Sequence, residues 1–307
     1  MSRMQPASLI WMDGRLLPWE EATVHVLAHS LHYGSGVFEG IRAYQTEEGV
    51  ALFRLEDHVQ RLLASAKAYR IPVEWSADEL AKAAREVVAA NGLEAAYVRP
   101  IVFYGTGSIG IDPAGAAVHT VIGAWEWGAY LGEDGLVNGV RVAVSSWRRI
   151  DHTMLIPNAK GTGGYLNSVL ARQEAVAAGY DEAILLNAEG YVVEGSGENL
   201  FLVQEGVVRT PPSVAGALDG ITRRSVMTLL VDDGHVVEET PLARSDLYYA
   251  DEAFFTGTAA EVTPIREIDD RPVGSGEPGP VTRRTQALFN DAVTGKLERY
   301  RPWLDFV

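Results

Sequence analysis

The apolar positions along the chain change period several times, and each change predicts an element. Leu9 to Met12 and Arg15 to Leu17 flank Asp13-Gly14, a hairpin signal because a type I′ turn needs positive φ at both central residues. From Leu55 the spacing turns helical, with Leu55, Val59, Leu62, Leu63 and Ala66 on one stripe and Arg61 well off it. Ser76 and Glu79 form a capping box ahead of a second helix that buries Leu80, Ala84, Val87 and Val88 and stops at Asn91-Gly92. Val98 to Tyr104 alternates as a strand, with Tyr97, Arg99, Ile101 and Phe103 on one face, an unusual setting for an arginine.

Further on, strands are predicted at Val140 to Ser145 and Ala183 to Leu186. Between them runs a helix on Leu166, Val169, Leu170 and Gln173 to Ala177, closed by Gly179. Hairpins follow at Asn187 to Gly190 and Glu205-Gly206, then a helix from Ile221 to Asp232, strands at Ala253 to Thr256 and Val262 to Ile268, and a last helix after Pro280. Many strands joined by tight turns argue for mixed or antiparallel sheets. With 307 residues, at roughly 150 per domain, two domains are expected. The Gly-rich, acidic stretch 128–139 between strand signals marks the boundary. The expectation is an α+β chain: a small α/β N-terminal domain over 1–127, an interdomain loop over 128–139, and a larger C-terminal domain over 140–307.

Composition narrows the function. Hydrophobic residues at 47% and charged residues at 22% are ordinary for a folded protein. The net charge of −15, with no basic cluster, argues against nucleic acid or an anionic membrane as partner. There is no cysteine, hence no disulfide, thiol nucleophile or thiolate metal site. Met1 to Pro6 carries no apolar leader and no segment reaches 18 apolar residues, so a cytoplasmic enzyme or binding protein is expected. Gly105, Gly107 and Gly110 match G-x-G-x-x-G, but Asp112-Pro113 stops the helix that a dinucleotide site needs. His25, His29 and His32 have helical spacing without a supporting carboxylate, so they read as structural and no metal is expected.

Two segments concentrate chemistry. Pro157 to Tyr165, PNAKGTGGY, sets Lys160 among glycines at the start of a helix, and Val193 to Phe201, VEGSGENLF, places Glu194 and Glu198 among glycines between apolar strands. Asp219 to Arg223 opens a helix whose free amides and Thr222 hydroxyl suit a phosphate. Phe255 to Ala260 ends a strand in small hydroxylated residues whose N–H groups can face an oxyanion.

These segments, together with Tyr33-Gly34-Ser35-Gly36-Val37-Phe38-Glu39-Gly40, Tyr97-Val98-Arg99-Pro100, Trp127-Gly128-Ala129-Tyr130, Gly220-Ile221-Thr222-Arg223 and Gly257-Thr258-Ala259-Ala260, strongly resemble the branched-chain amino acid aminotransferases. The likeness runs from about Trp11 to Trp303-Leu304. It implies the D-amino acid aminotransferase-like, fold-type IV architecture of pyridoxal 5′-phosphate enzymes, with a mixed sheet forming a pseudo-barrel in the larger domain. It further implies that Lys160 carries the cofactor covalently and acts as general base, that Glu194 keeps the pyridine nitrogen protonated, and that Tyr165 tunes the ring oxygen. Arg61, Thr258 and the Ile221 and Thr222 amides would hold the phosphate, and Gly257 would also bind the cofactor. Tyr97 with the Thr258 and Ala259 amides would bind the α-carboxylate, and Arg99 with Tyr33 of the partner subunit the γ-carboxylate of glutamate. Phe38, Trp127, Tyr130, Tyr165 and the partner subunit's Ile111 would surround a branched side chain. The implied smallest active unit is a homodimer, and bacterial relatives often assemble three. One departure stands out: Gly163-Gly164-Tyr165 replaces the family's usual Gly-Asn-Tyr. A transaminase of the same fold acting on D-amino acids or (R)-amines would share Lys160 and Glu194, but Tyr97 and Arg99 argue for L-branched-chain substrates and 2-oxoglutarate. A non-catalytic cofactor-binding protein would use the same loops.

Overall fold

The computed structural model describes residues 6–128 and 130–307. Residues 1–5, and Ala129 of the Trp-Gly-Ala-Tyr segment, lie outside the described residues. The chain divides into two compact units.

One unit holds the residues up to Trp127 together with 159–164 and 292–307. Strands β1 (Leu9–Met12) and β2 (Arg15–Pro18) form the first hairpin. Asp13 and Gly14 sit at φ 49° and 91°, as a type I′ turn requires. After the short helix α1 (His29–Tyr33) come β3 (Gly36–Phe38), β4 (Ile41–Thr46) and β5 (Gly49–Phe53), then helices α2 (Leu55–Ala68) and α3 (Ala77–Ala90). The capping box before α3 is formed in both directions, between Ser76 and Glu79. Two long strands, β6 (Ala96–Tyr104) and β7 (Val118–Glu126), pair over their whole length. The buried faces of α2 and α3 cover the sheet, with Leu55, Val59, Leu62, Leu80, Ala84 and Val87 packed on Ile41, Val98 and Val102.

The other unit holds 128–158 and 165–291. Within 128–139, expected as a loop, Glu133–Asn138 forms a short helix, α4, that packs on strand Glu261–Ile268. Then follow β8 (Val140–Arg148), α5 (Tyr165–Ala177), β9 (Glu182–Leu186), β10 (Val192–Gly195), β11 (Asn199–Gln204), β12 (Val207–Thr210), α6 (Ile221–Asp232), β13 (Val236–Glu239), α7 (Asp246–Tyr249), β14 (Glu252–Gly257), β15 (Glu261–Ile268), β16 (Arg271–Pro272) and α8 (Pro280–Val293). Among the described residues they build a nine-stranded mixed sheet ordered β10-β9-β8-β15-β14-β11-β12-β13, with β16 on β15. The pairs β8·β9, β8·β15 and β12·β13 are parallel. The last strand, β17 (Leu304–Phe306), pairs with β5, so the C-terminal residues cluster with the first unit, in an eight-stranded sheet ordered β17-β5-β4-β6-β7-β1-β2 with β3 on β6.

The apolar stripe expected on α5 is corrected by the structure. Leu166 and Val169 are 64% and 46% exposed, and the helix instead buries Ser168, Ala171 and Ala175 against β8 and β9. Small residues let a helix lie close to a sheet, which turns the bulky aliphatic positions outward.

Candidate active site

In the first unit the segment carrying Lys160 is fastened by its backbone. Phe38 N–H donates to Lys160 O at 3.0 Å, Lys160 N–H donates to Ser65 Oγ at 3.1 Å, and Val37 and Gly161 form an antiparallel bridge. The Thr162 hydroxyl donates to Gly34 O at 2.7 Å. Gly34 must be glycine here: it has φ +64°, and a Cβ would stand 2.6 Å from Gly163 Cα. The Lys160 backbone is held on both sides, and its amine lies 5.3 Å from the Phe38 ring centre.

Beside it is a buried ionic group that the sequence reading missed. Glu39 is sealed from solvent, and Arg61 grips it with Nε at 2.6 Å and Nη2 at 2.9 Å. His58 Nδ1 completes the set at 2.8 Å. Burial opposes ionisation of Glu39, but the Arg61 charge and the His58 hydrogen bond outweigh it and hold the carboxyl far below its usual range. Burial likewise drives the His58 ring below its usual value, against the pull of Glu39. His58, Arg61 and Ser65 are spaced i, i+3, i+7 on α2, a polar row beside the apolar stripe that could have revealed the cluster.

On β6, Arg99 lies against aromatic faces, its guanidinium 4.8 Å from the Phe38 ring centre and 5.2 Å from that of Tyr97. Arg99 Nη2 donates to the Tyr97 hydroxyl at 3.3 Å, whereas its buried Nε has no partner among the described residues. Gly40 makes room for that hydroxyl, since a Cβ there would stand 1.8 Å from it. Trp127 packs on Tyr97 at 5.1 Å between centroids. Tyr33 and Ile111 are exposed, the latter by 86%, and the Tyr33 hydroxyl donates to Ile109 O.

The second unit collects Glu194 and the anion-type turns. Glu194, at the end of β10, pairs with Arg149 at 2.9 Å and accepts Leu218 N–H at 3.0 Å and Asn199 Nδ2 at 3.3 Å. Asn199 in turn forces a glycine at 220, where a Cβ would lie 1.9 Å from Asn199 Oδ1. Gly220 caps α6 with no side-chain bond, so the N–H groups of Ile221 and Thr222 point outward from a helix N-terminus. Both residues are buried. Gly257 ends β14, Thr258 and Ala259 lie in the turn to β15, and the buried Thr256 hydroxyl before them has no partner among the described residues. Tyr165 opens α5, and Tyr130 lies 5.7 Å from the Arg172 guanidinium. Arg149 and Asn199 were also missed in sequence. Within this unit, an uncapped helix N-terminus suits a phosphate, and a buried acid held by a guanidinium suits a protonated ring nitrogen.

The family model of class IV amino-transferases matches residues 36–268. The chain belongs to the class IV aminotransferases. This aminotransferase is 49% identical over 307 residues, all of both chains, to the branched-chain-amino-acid aminotransferase of Pseudomonas aeruginosa. It superposes on the crystal structure of the Escherichia coli branched-chain amino acid aminotransferase with TM-score 0.95 and 47% identity, covering 97% of this chain and 99% of that one. The T.th. branched-chain amino acid aminotransferase complexed with N-(5′-phosphopyridoxyl)-L-glutamate matches with TM-score 0.94 and 48% identity over 98% of each chain. The α+β, fold-type IV architecture expected from the sequence is the one the class IV aminotransferase adopts.

Proposed function

We infer that the chain is a branched-chain amino acid aminotransferase. It exchanges the amino group between L-leucine, L-isoleucine or L-valine and 2-oxoglutarate, with pyridoxal 5′-phosphate as cofactor. The observation that carries this is full-length similarity to enzymes of that name, joined to a Lys160 whose backbone is pinned and a Glu194 held by Arg149. When bound, the cofactor supplies an electron sink for the pair released as the substrate Cα–H bond breaks.

The chain's own residues do the rest in this proposal. Lys160 Nζ would anchor the cofactor and take the proton from Cα, its backbone held by Phe38 and Ser65. Glu194, paired with Arg149, would keep the pyridine nitrogen protonated. Arg61, the Ile221 and Thr222 amides and Thr258 would hold the phosphate, Gly257 would also line the cofactor, and Tyr165 would tune the ring oxygen. Tyr97 with the Thr258 and Ala259 amides takes the α-carboxylate. Arg99, with its unmet Nε, takes the γ-carboxylate of glutamate beside Tyr33 of the partner subunit. Phe38, Trp127, Tyr130, Tyr165 and the partner subunit's Ile111 enclose the aliphatic side chain, whose burial contributes about 1.5–3 kcal/mol, similar to one charge-assisted bond to Arg99.

We further propose a homodimer as the smallest active unit, open to assembly as a trimer of dimers. The aliphatic positions turned outward on α5 and at Val26, Leu27 and Leu31 support it. No helix among the described residues is long and apolar enough to cross a membrane, and we place the enzyme in the cytoplasm. The visible spectrum of the purified protein, before and after L-leucine without any oxo acid, tests the function. A yellow band that bleaches with release of a 2-oxo acid is expected. Bleaching only by D-alanine or (R)-1-phenylethylamine, or no band after reconstitution, overturns the assignment. A fully active monomer in sedimentation equilibrium overturns the dimer.

A further inference from the structure

The strands that carry Glu194 hold more acid than base. Glu182 on β9, Glu194 on β10 and Glu198 between β10 and β11 are all buried. Arg149 pairs with Glu194. Arg172 pairs with Glu182, which also accepts Ala183 N–H at 2.7 Å. Glu198 has no salt bridge among the described residues: Oε2 accepts Gly197 N–H at 3.1 Å, and Oε1 has no partner. Its carboxyl lies close over Gly195, where a Cβ would stand 2.7 Å from Oε2. Among the described residues, two guanidiniums pair with two of these three buried carboxyls, and a buried carboxyl without an ion-pair partner takes up a proton instead.

We propose that Glu198 is the uncharged member of this trio, a protonated acid that props the turn after Glu194 and leaves Glu194 as the one ionised carboxylate of that turn. Burial and the charges of Glu182 and Glu194 push Glu198 well above the usual carboxylate range, against the Gly197 N–H and Arg172. Burial raises Glu182 too, but Arg172, Ser196 and the Ala183 N–H all favour its charged form. The proton therefore belongs on Glu198, which then behaves as a positioning residue for Glu194. That role rests on the function proposed above, whereas the protonation state does not.

The test compares the wild-type holoenzyme with Glu198→Gln, a neutral isostere. At pH 7 the infrared difference spectrum should show the C=O stretch of an un-ionised acid present in the wild type and absent from the variant. Above the unfolded carboxylate range the wild type must take up a proton to fold, so Glu198→Gln should match its Tm near pH 4 and exceed it by a few degrees at pH 7. The cofactor band of the variant should titrate with pH as the wild type's does. Carbon-13 NMR of wild-type protein labelled at the glutamate carboxyls gives a reading that needs no variant: one resonance should stay in its protonated position at pH 7. Carboxylate bands alone, or a Tm difference that is flat or shrinks as pH rises, overturn the proposal. Failure of L-leucine to bleach the cofactor band would refute the function and leave the protonation result standing.

Discussion

Glu39 and Glu198 are the same residue type, both sealed from water, yet their surroundings drive them to opposite charge states. Glu39 is met by three donors on α2, two from Arg61 and one from His58, and is held ionised far below the usual range. Glu198 receives one backbone N–H and stands near two other carboxyls, which drives it the other way. Burial sets how much a charge costs, and the number of donors aimed at it decides whether that cost is met. A buried acid in this protein is therefore read by counting its partners.

The comparison breaks first at Arg61. Arg61→Ala should strand a charged Glu39 in the core and cost about 3–5 kcal/mol of stability, with weaker cofactor retention on gel filtration, and Arg61→Lys should recover only part because an ammonium cannot make the fork. A loss below about 1 kcal/mol would show that Glu39 is not ionised. Acid titration sharpens the contrast. Glu39 and His58 both titrate below their unfolded values, so what they contribute is present above those values and is lost as pH falls. Stability should drop first below about 6.5 and again below about 4.3, the second limb being on the order of 2–3 kcal/mol. Glu39→Gln should remove the lower limb, the reverse of the neutral-pH gain expected for Glu198→Gln, and an unchanged acid limb would end the comparison. Smallest is the cationic counterpart, Arg99, whose Nε lacks a partner among the described residues. Arg99→Ala should reduce kcat/KM for glutamate by about 1.5–3 kcal/mol and spare leucine, and equal loss on both substrates would exclude a separate γ-carboxylate contact.

Much of the frame was legible along the chain because its signals are local. Asp13-Gly14, the Ser76/Glu79 box and the glycines closing α3 and α5 specify turns and ends within a few residues. Lys160 and Glu194 were legible as a pattern of glycines around a reactive group. Glu39 was not, since its partners lie 19 and 22 residues away on a helix whose Arg61 the resemblance assigns to the phosphate. The α5 stripe misled because periodicity shows which residues share a face, and not which face is covered.

By itself the sequence determined the elements, their order and the residue types available for chemistry, since these depend on dihedral preference and short-range periodicity. Only the tertiary structure decided that Arg61 and His58 converge on Glu39, that Asn199 and Leu218 converge on Glu194, and that Glu198 Oε1 is left without a hydrogen-bond partner among the described residues. Charge state follows from three-dimensional neighbours within a few ångströms, and no linear spacing along the chain encodes them.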